Sequence, residues 1–270
     1  MRLSNKIAFI TGAGSGMGLA AARLFAAEGA TVYGADISSD VLDRQFAGIE
    51  GAIGVVVDIS DSAQVNAAFE KVAEEQGRLD VLINAAGVHA PNKAAADKLT
   101  ETNIKANEAR KSGGDYVPEF LADITDEDFD RVMKINLYGS FYTIRAAVPL
   151  LKAAQGGTIV NFASVSAYLS TPMPVYYPAS KAAILGLTRE LAGELAPFNI
   201  RVNSLAPAGI NTGMLNSLDP ETIEFLMSAQ PLKRFGTPEE VAEMLLFLCG
   251  ENGTYYTGQT FSPSGGMVLL

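Results

Sequence analysis

Short apolar runs rich in β-branched residues alternate with amphipathic segments along the chain. The apolar runs predict strands near residues 6–11, 30–35, 53–58, 79–84, 157–163, 199–205 and 259–262. The segments between them predict helices near residues 17–28, 40–46, 62–76, 126–153, 176–196 and 238–250. Strands that alternate with helices favour a parallel sheet with helices on both faces. The predicted fold class is therefore α/β, a doubly wound parallel sheet of about seven strands.

One connection is too long for this pattern. No strand is predicted between Val88 and about Thr125, and so long a connection in a compact domain is uncommon unless it is functional or disordered. The segment from Lys93 to Lys111 is rich in Ala, Lys and Glu and predicts one exposed helix. We treat residues 90–118 as an insertion, for which a solvated surface helix and a lid over a binding cleft both remain open. His89 is a candidate substrate contact, although most loop histidines have no such role.

Length, charge and cysteine content narrow the function classes. A chain of 270 residues with 48% hydrophobic residues can bury one sizeable core, so we expect a single domain over residues 1–270. A net charge of −10 argues against nucleic acid or an anionic membrane as partner. A strand predicted within six residues of the start and the lack of a long apolar stretch lead us to expect a cytoplasmic protein. Cys249, the only cysteine, is expected to be a buried thiol, and no metal site is predicted.

A glycine-rich turn follows the first predicted strand. Residues 12–18, Gly-Ala-Gly-Ser-Gly-Met-Gly, lead into an alanine-rich helix from Leu19 to Glu28. Glycines in this context let a pyrophosphate approach the free N–H groups of the helix N-terminus, although such glycines by themselves can be only a turn. The second predicted strand ends in Asp36, whose carboxylate can bind adenosine ribose hydroxyls and would repel a 2′-phosphate. No Arg or Lys near this acid would hold that phosphate, so the sequence predicts NAD rather than NADP.

Tyr177 and Lys181 supply the candidate reaction chemistry. They are four residues apart in a predicted helix and therefore share one face of it. An ammonium beside a phenol favours the phenolate, which predicts a tyrosine pKa below its usual value of about 10 and a base usable near neutral pH. Ser164, at the end of the strand predicted at 157–163, is placed to hydrogen-bond a substrate oxygen. Taken alone, Tyr-x-x-x-Lys also occurs by chance.

With these motifs the chain resembles the classical short-chain dehydrogenase/reductase family over nearly its whole length. Further matches are Asp58-Ile59, Asn84-Ala85-Ala86-Gly87, Asn136 and the segment 203–212, in which Ala208 stands where the family usually has glycine. The resemblance implies a Rossmann-like fold and a catalytic set of Asn136, Ser164, Tyr177 and Lys181. It also implies that NAD contacts a larger set: Gly12, Ser15, Gly16, Met17, Gly18, Asp36, Ile37, Asp58, Ile59, Asn84, Ala85, Ala86, Gly87, Tyr177, Lys181, Pro207, Ile210 and Thr212.

The implied activity is hydride transfer between NAD and a small-molecule substrate. In the oxidation direction Tyr177 would take the hydroxyl proton, and Ser164 would hold the substrate oxygen. By the same resemblance, Lys181 would bind the nicotinamide ribose and Asn136 would hold a water connecting the lysine to solvent. Apolar residues near the catalytic run favour a neutral, largely apolar secondary alcohol or ketone: Tyr168, Leu169, Met173 and Val175.

Three alternatives have the same fold. A sugar or polyol dehydrogenase remains open, because the insertion could add polar groups to the pocket. A 3-oxoacyl reductase acting on an acidic carrier protein would need a basic docking patch, which the acidic composition disfavours. A non-catalytic NAD-binding regulator would be expected to have lost Tyr177, Lys181 or Ser164, and all three are present.

Two further features follow from the family pattern. Residues 212–237 are expected to form a substrate lid, with apolar residues on a weak helical period: Met214, Leu215, Leu218, Phe225, Leu226 and Met227. The family commonly forms tetramers through its fourth and fifth helices and its C-terminal strand. The apolar C-terminus, residues 265–270, is a candidate interface, and we expect a homotetramer.

Overall fold

A computed structural model of the chain describes residues 1–170, 173–213 and 220–268, apart from the side chains of residues 221, 222 and 225. The seven predicted strands are confirmed as β1 Ile7–Thr11, β2 Thr31–Asp36, β3 Ala52–Val56, β4 Val81–Asn84, β5 Gly157–Phe162, β6 Ile200–Leu205 and β7 Thr260–Phe261. They form one sheet in the order β3-β2-β1-β4-β5-β6-β7. Every neighbouring pair is parallel. The strand order reverses between β1 and β4, the place where open sheets of this kind bind ligands.

Helices cover both faces of the sheet. Among the described residues they are, in chain order, α1 Gly16–Ala27, α2 Ser39–Phe46, α3 Ser62–Gln76, α4 Lys93–Ser112, α5 Asp126–Met133, α6 Gly139–Ala153, α7 Tyr176–Leu195, α8 Pro220–Ala229 and α9 Pro238–Cys249. On one face α1 and α9 pack through residues such as Phe25 and Leu245, and on the other α3, α6 and α7 pack through residues such as Phe69 and Leu151. The doubly wound α/β prediction is therefore confirmed.

A π-helical turn interrupts the helix predicted at 126–153. Lys134–Tyr138 forms this turn between α5 and α6. A π-helical turn widens the helix locally and is frequent at functional sites. Asn136 lies at its centre and is 1% exposed. The turn therefore directs Asn136 inward, into the body of the protein.

The insertion forms a long helix, as predicted. α4 begins after Asn92, whose side chain accepts a hydrogen bond from the Ala95 N–H at 2.9 Å, and ends before Gly113, which has a φ of 70°. Lys98 forms an ion pair with Asp123 at 2.6 Å. α4 also contacts α8, which lies in the segment expected to be the lid. The insertion is thus packed against two neighbouring segments.

Two other expectations can be compared with the structure. Cys249 is buried, as predicted, and burial raises the pKa of its thiol to about 12, so the reactive thiolate is strongly disfavoured. None of the helices in the described part of the chain has both the length and the apolar character that a membrane span needs.

Candidate active site

The four predicted catalytic residues converge at the carboxyl ends of β4 and β5. Ser164 follows β5, Tyr177 and Lys181 lie in the first two turns of α7, and Asn136 lies in the π-helical turn. Gly87 lies between two of them: a Cβ there would be 3.0 Å from Asn136 Oδ1 and 3.3 Å from Lys181 Nζ. A side chain at this position would therefore crowd both groups.

Lys181 is buried and has one fixed partner. Its Nζ donates a hydrogen bond to the Phe162 carbonyl at 2.8 Å and lies 5.8 Å from the centroid of the Tyr177 ring. Burial lowers the pKa of this ammonium from 10.5 to about 8, because a charged amine loses its hydration inside the protein. The end of β5 thus orients an amine that gains and loses its proton close to neutral pH.

Tyr177 differs from the sequence prediction in one respect. Burial raises the pKa of its phenol, and a hydrogen bond with Ser164 lowers it and so offsets part of that effect. The lowering expected from Lys181 is not found in the protein alone, because the amine is held at the Phe162 carbonyl. The Ser164 hydroxyl oxygen in turn accepts a hydrogen bond from the Ser166 N–H at 3.2 Å. Ser164, rather than Lys181, is therefore the group that favours the phenolate.

Asn136 fixes the segment after β4 to α7. Its Oδ1 accepts from the Val88 N–H at 2.8 Å, and its Nδ2 donates to the Val88 carbonyl at 2.9 Å and to the Ser180 hydroxyl at 3.0 Å. Ser180 donates to the Tyr177 carbonyl at 2.7 Å. The asparagine side chain is thus rigidly positioned, and the water predicted between it and Lys181 stays a prediction.

The glycine-rich turn has the shape that a pyrophosphate needs. Gly12 has a φ of 67°, and a Cβ there would be 2.9 Å from the Cα of Ala86, while a Cβ on Gly18 would collide with the Gly12 carbonyl. Ser15, the residue before α1, makes no side-chain hydrogen bond to the first turn of the helix, so its hydroxyl does not cap the N–H groups at the helix N-terminus. Free N–H groups at a helix N-terminus are an anion site. The turn therefore fits the phosphates of a dinucleotide.

Asp36 is held directly beside this turn. Its Oδ2 accepts from the Gly14 N–H at 3.0 Å and its Oδ1 accepts from the Ile37 N–H at 2.8 Å. The carboxylate remains partly exposed, so oxygen lone pairs are accessible to a ligand. Binding of ribose hydroxyls by this carboxylate stays a prediction.

The other predicted cofactor residues border the same cleft to different degrees. Met17 is the second residue of α1, and the Thr212 methyl carbon lies 3.3 Å from where a Cβ on Gly16 would be. Ile210 pairs with Gly236, and the Pro207 carbonyl accepts from the Val165 N–H at 3.1 Å, close to Ser164. The remaining positions are at strand ends: Ile37, Asp58, Ile59, Ala85 and Ala86. Their contacts with a cofactor stay predictions.

Asn84 is hydrogen-bonded inside the core. It lies at the predicted strand end, but it is 2% exposed and its side chain is hydrogen-bonded to Asn161 and Thr143. Both the oxygen and the nitrogen of its amide are therefore hydrogen-bonded to other buried side chains. Its side chain therefore supports the site from below, and the contact of Asn84 with NAD stays a prediction.

The apolar pocket wall and the lid are only partly described. Tyr168 and Val175 are 38% and 43% exposed, so they do not pack in the core, while Leu169 and Met173 are half-buried. Burial lowers the pKa of His89, which is half-buried at the start of the insertion. Three predicted lid residues, Met214, Leu215 and Leu218, lie outside the described residues, as does the Phe225 side chain. In the described part of the chain no group of His, Cys, Asp or Glu is placed to hold a metal ion.

Sequence reasoning missed three contributors to this site. They are the Phe162 carbonyl that holds Lys181, the Ser166 N–H that binds Ser164, and the Ser180 hydroxyl that binds Asn136. Two of them are backbone groups, which leave no trace in the sequence. Ser180 was visible only as one serine on a helix, and nothing in the pattern marked it.

Comparisons with known proteins agree with this geometry. Residues 6–108 match the family model described as short chain dehydrogenase, and residues 113–268 match the one described as enoyl-(acyl carrier protein) reductase. The chain is 39% identical over 273 residues to a 3-oxoacyl-[acyl-carrier-protein] reductase of Thermotoga maritima, and the alignment covers 100% of both chains. It is 34% identical to a meso-2,3-butanediol dehydrogenase of Serratia marcescens, covering 98% of this chain and 96% of the relative.

Two further matches cover nearly the whole chain. An NAD(+)-dependent 2-dehydro-3-deoxy-L-rhamnonate dehydrogenase of Sphingomonas sp. is 34% identical, covering 100% of this chain and 98% of the relative. A crystal structure from Brucella melitensis 16M, described as a ribose-5-phosphate isomerase, has a TM-score of 0.83 and 30% identity, covering 98% of this chain and 93% of that one. The fold, the assembled Ser-Tyr-Lys site and these matches show that the chain belongs to the short-chain dehydrogenase/reductase family of oxidoreductases.

Proposed function

We propose that this protein is an NAD-dependent oxidoreductase that interconverts a neutral, largely apolar secondary alcohol and its ketone. The observation that carries the proposal is the position of Ser164 and Lys181 around Tyr177, at the strand ends beside a glycine turn that fits a dinucleotide. Family membership supplies the oxidoreductase class. The cofactor and the substrate are the parts that we propose.

The preference for NAD rests on Asp36. The Gly14 and Ile37 N–H groups hold its carboxylate in place, so it cannot move aside for a phosphate without losing two hydrogen bonds. A 2′-phosphate at that point would face an unpaired negative charge, whereas ribose hydroxyls would donate to it. The relative from Sphingomonas, whose name includes NAD(+), is consistent with this choice.

Each residue of the site has a different role in the reaction. NAD, when bound, accepts or returns the hydride. In the oxidation direction the Tyr177 phenolate takes the substrate hydroxyl proton, and Ser164 donates a hydrogen bond to the substrate oxygen. Burial raises the pKa of Tyr177, so oxidation should become faster as the pH rises and more phenolate forms. Lys181, held at the Phe162 carbonyl, binds the nicotinamide ribose.

The substrate class rests on the exposed apolar residues next to the reacting groups. Tyr168 and Val175 present hydrocarbon surface after Ser164 and before Tyr177. The residues of this run, 164–177, include no Arg or Lys that could pair with a strongly anionic substrate. The butanediol dehydrogenase relative acts on a small neutral diol by its name, which keeps a polyol within the proposed range.

A 3-oxoacyl reductase is the second candidate. The specific observation in its favour is the 39% identity to the Thermotoga maritima reductase over the whole chain. Against it stands the net charge of −10, since acidic carrier proteins dock on basic surface.

One assay separates the two candidates. Alcohols, diols, sugars, ketones and a 3-oxoacyl thioester on acyl carrier protein are tested with NAD(H) and NADP(H) by nicotinamide absorbance, with Tyr177→Phe as the inactive control. We expect turnover of a neutral secondary alcohol or ketone with NAD(H). Higher kcat/KM for the 3-oxoacyl thioester with NADP(H) would favour the second candidate, and binding of NAD without turnover of any substrate would indicate a regulator.

We further propose the organisation of the protein. It is a single cytoplasmic domain over residues 1–270, with α4 in the insertion and α8 in the lid segment forming adjacent covers over the cleft. It forms a homotetramer, which the exposed Tyr138 and Phe141 at the start of α6 support, because aromatic residues are enriched at interfaces. Size-exclusion chromatography with light scattering tests the oligomeric state, and a monomer would contradict it.

A further inference from the structure

A chain of hydrogen bonds between buried side chains links two strands and two helices beneath the catalytic residues. The Thr143 hydroxyl donates to Asn84 Oδ1 at 2.7 Å, and Asn84 Nδ2 donates to Asn161 Oδ1 at 2.9 Å. Asn161 Nδ2 then donates to the Thr188 hydroxyl at 3.0 Å. All four side chains are at most 2% exposed. The chain therefore joins α6, β4, β5 and α7, which carry or border every catalytic residue.

Asn161 is the centre of this chain and adjoins the reacting groups. The next residue, Phe162, supplies the carbonyl that binds Lys181 Nζ, and Ser164 follows three positions after Asn161. On α7, Thr188 lies seven residues after Lys181, which is two helical turns, so both side chains are on the same face of the helix. The bond between Asn161 and Thr188 thus fixes the spacing of α7 from the strand end to which Lys181 reaches.

Filling the core does not by itself account for these polar groups. Replacing both partners of a buried hydrogen bond by apolar groups of the same shape is often nearly neutral for stability. What a hydrogen-bonded chain adds is direction, because each link has a narrow range of distance and angle. A direction-dependent link between two helices and two strands sets geometry at the ends of those elements.

We propose that Asn161 is a positioning residue for the reaction. By linking Thr188 on α7 to Asn84 on β4, it holds the Lys181 amine at the Phe162 carbonyl and keeps Tyr177 in reach of Ser164. This inference rests on the proposed function for its kinetic consequence. Its structural consequence is independent of turnover.

Thr188→Val tests the inference, because it removes the hydroxyl with little change of shape. We expect kcat to fall about tenfold, since small displacements of reacting groups are costly, while the NAD dissociation constant by calorimetry stays within about twofold. Thr188→Ser, which keeps the hydroxyl, should restore kcat. The matched control is Thr158→Val on β5, the strand that carries Asn161. The buried hydroxyl of Thr158 has no hydrogen-bond partner in the described part of the chain.

Hydrogen exchange of the cofactor-free protein provides the second readout. Residues 162–168 and 176–183 should exchange faster in Thr188→Val and at the wild-type rate in Thr188→Ser and Thr158→Val. Wild-type kcat and exchange in Thr188→Val would overturn the proposal, as would equal losses in Thr158→Val. If the wild-type protein turns over no substrate, the proposed function fails, and exchange alone decides: faster exchange confined to Thr188→Val supports positioning, and equal exchange overturns it.

Discussion

Replacing Lys181 by methionine should change how stability depends on pH. Lys181 is buried, and its pKa falls from 10.5 to about 8 on folding. Between these two values the unfolded chain binds a proton that the folded protein does not, so stability rises with pH across this window. The difference of about 2.5 pKa units corresponds to about 3 kcal/mol, the penalty that the buried ammonium imposes below pH 8. Methionine carries no charge and has no such penalty.

The comparison is made by urea unfolding of the wild-type protein and of Lys181→Met, followed by far-UV circular dichroism, because the chain has no tryptophan. The free energy of unfolding of the variant, relative to wild type, should decrease by about 2 to 3 kcal/mol between pH 7 and pH 10. The trend with pH is the test. The absolute difference also contains the lost hydrogen bond to the Phe162 carbonyl.

A surface lysine provides the control. Lys71 is half-exposed and lies 3.8 Å from Glu75 on the same helix, so Lys71→Met should show no comparable trend. A difference between Lys181→Met and wild type that is constant from pH 7 to pH 10 would refute the reasoning. It would mean that the amine is hydrated in solution or that its charge is compensated by a group that the structure does not place beside it.

Three further predictions address the reaction. Tyr177→Phe should lower kcat by about 10²- to 10⁴-fold while NAD still binds. Tyr176→Phe should do far less, because Tyr176 is buried and the residue four positions on is Ser180, not a cation; equal losses would mean that the wrong tyrosine has been assigned. Asp36→Ala should lower kcat/KM for NAD by about 10- to 100-fold, which corresponds to the loss of a hydrogen bond to a charged group, whereas Asp40→Ala, at an exposed position, should not. If Asp36→Ala keeps the NAD preference, a residue other than Asp36 determines the choice of cofactor. Replacing residues 91–115 by a short turn should raise KM or change which alcohols are accepted, while NAD still binds, because the sheet holds the cofactor independently of a lid. Unchanged kinetics would mean that the insertion is a surface or subunit-contact element.

The strands and the helices on both faces of the sheet were predictable because burial leaves a simple pattern. Ile7–Thr11 and Gly157–Phe162 are buried on both sides and are almost continuously apolar or β-branched. The insertion helix was predictable from propensity alone, since its sequence favours a helix without support from the core. Its packing against α8 was not, because a contact between distant segments has no local signal.

The site was predictable in its residues and less so in its electrostatics. Tyr177 and Lys181 share a helix face, as their spacing indicated, yet their pKa values depend on burial, which a sequence does not report. The π-helical turn at Asn136 was missed because Lys134–Tyr138 has ordinary helical composition. Asn161 did leave a signal, a polar amide inside an apolar strand, but its partners come from two other elements.

The way in which Asp36 is held limits how this enzyme could be re-engineered for another cofactor. Its carboxylate is the acceptor for two backbone N–H groups, so removing it to admit a phosphate also removes support from the glycine turn. The same carboxylate occupies the space beside Gly14, where a Cβ would lie 2.7 Å from Oδ2. A designer would therefore have to consider positions 14 and 36 together, because the shape of the turn and the proposed cofactor preference depend on the same two oxygen atoms.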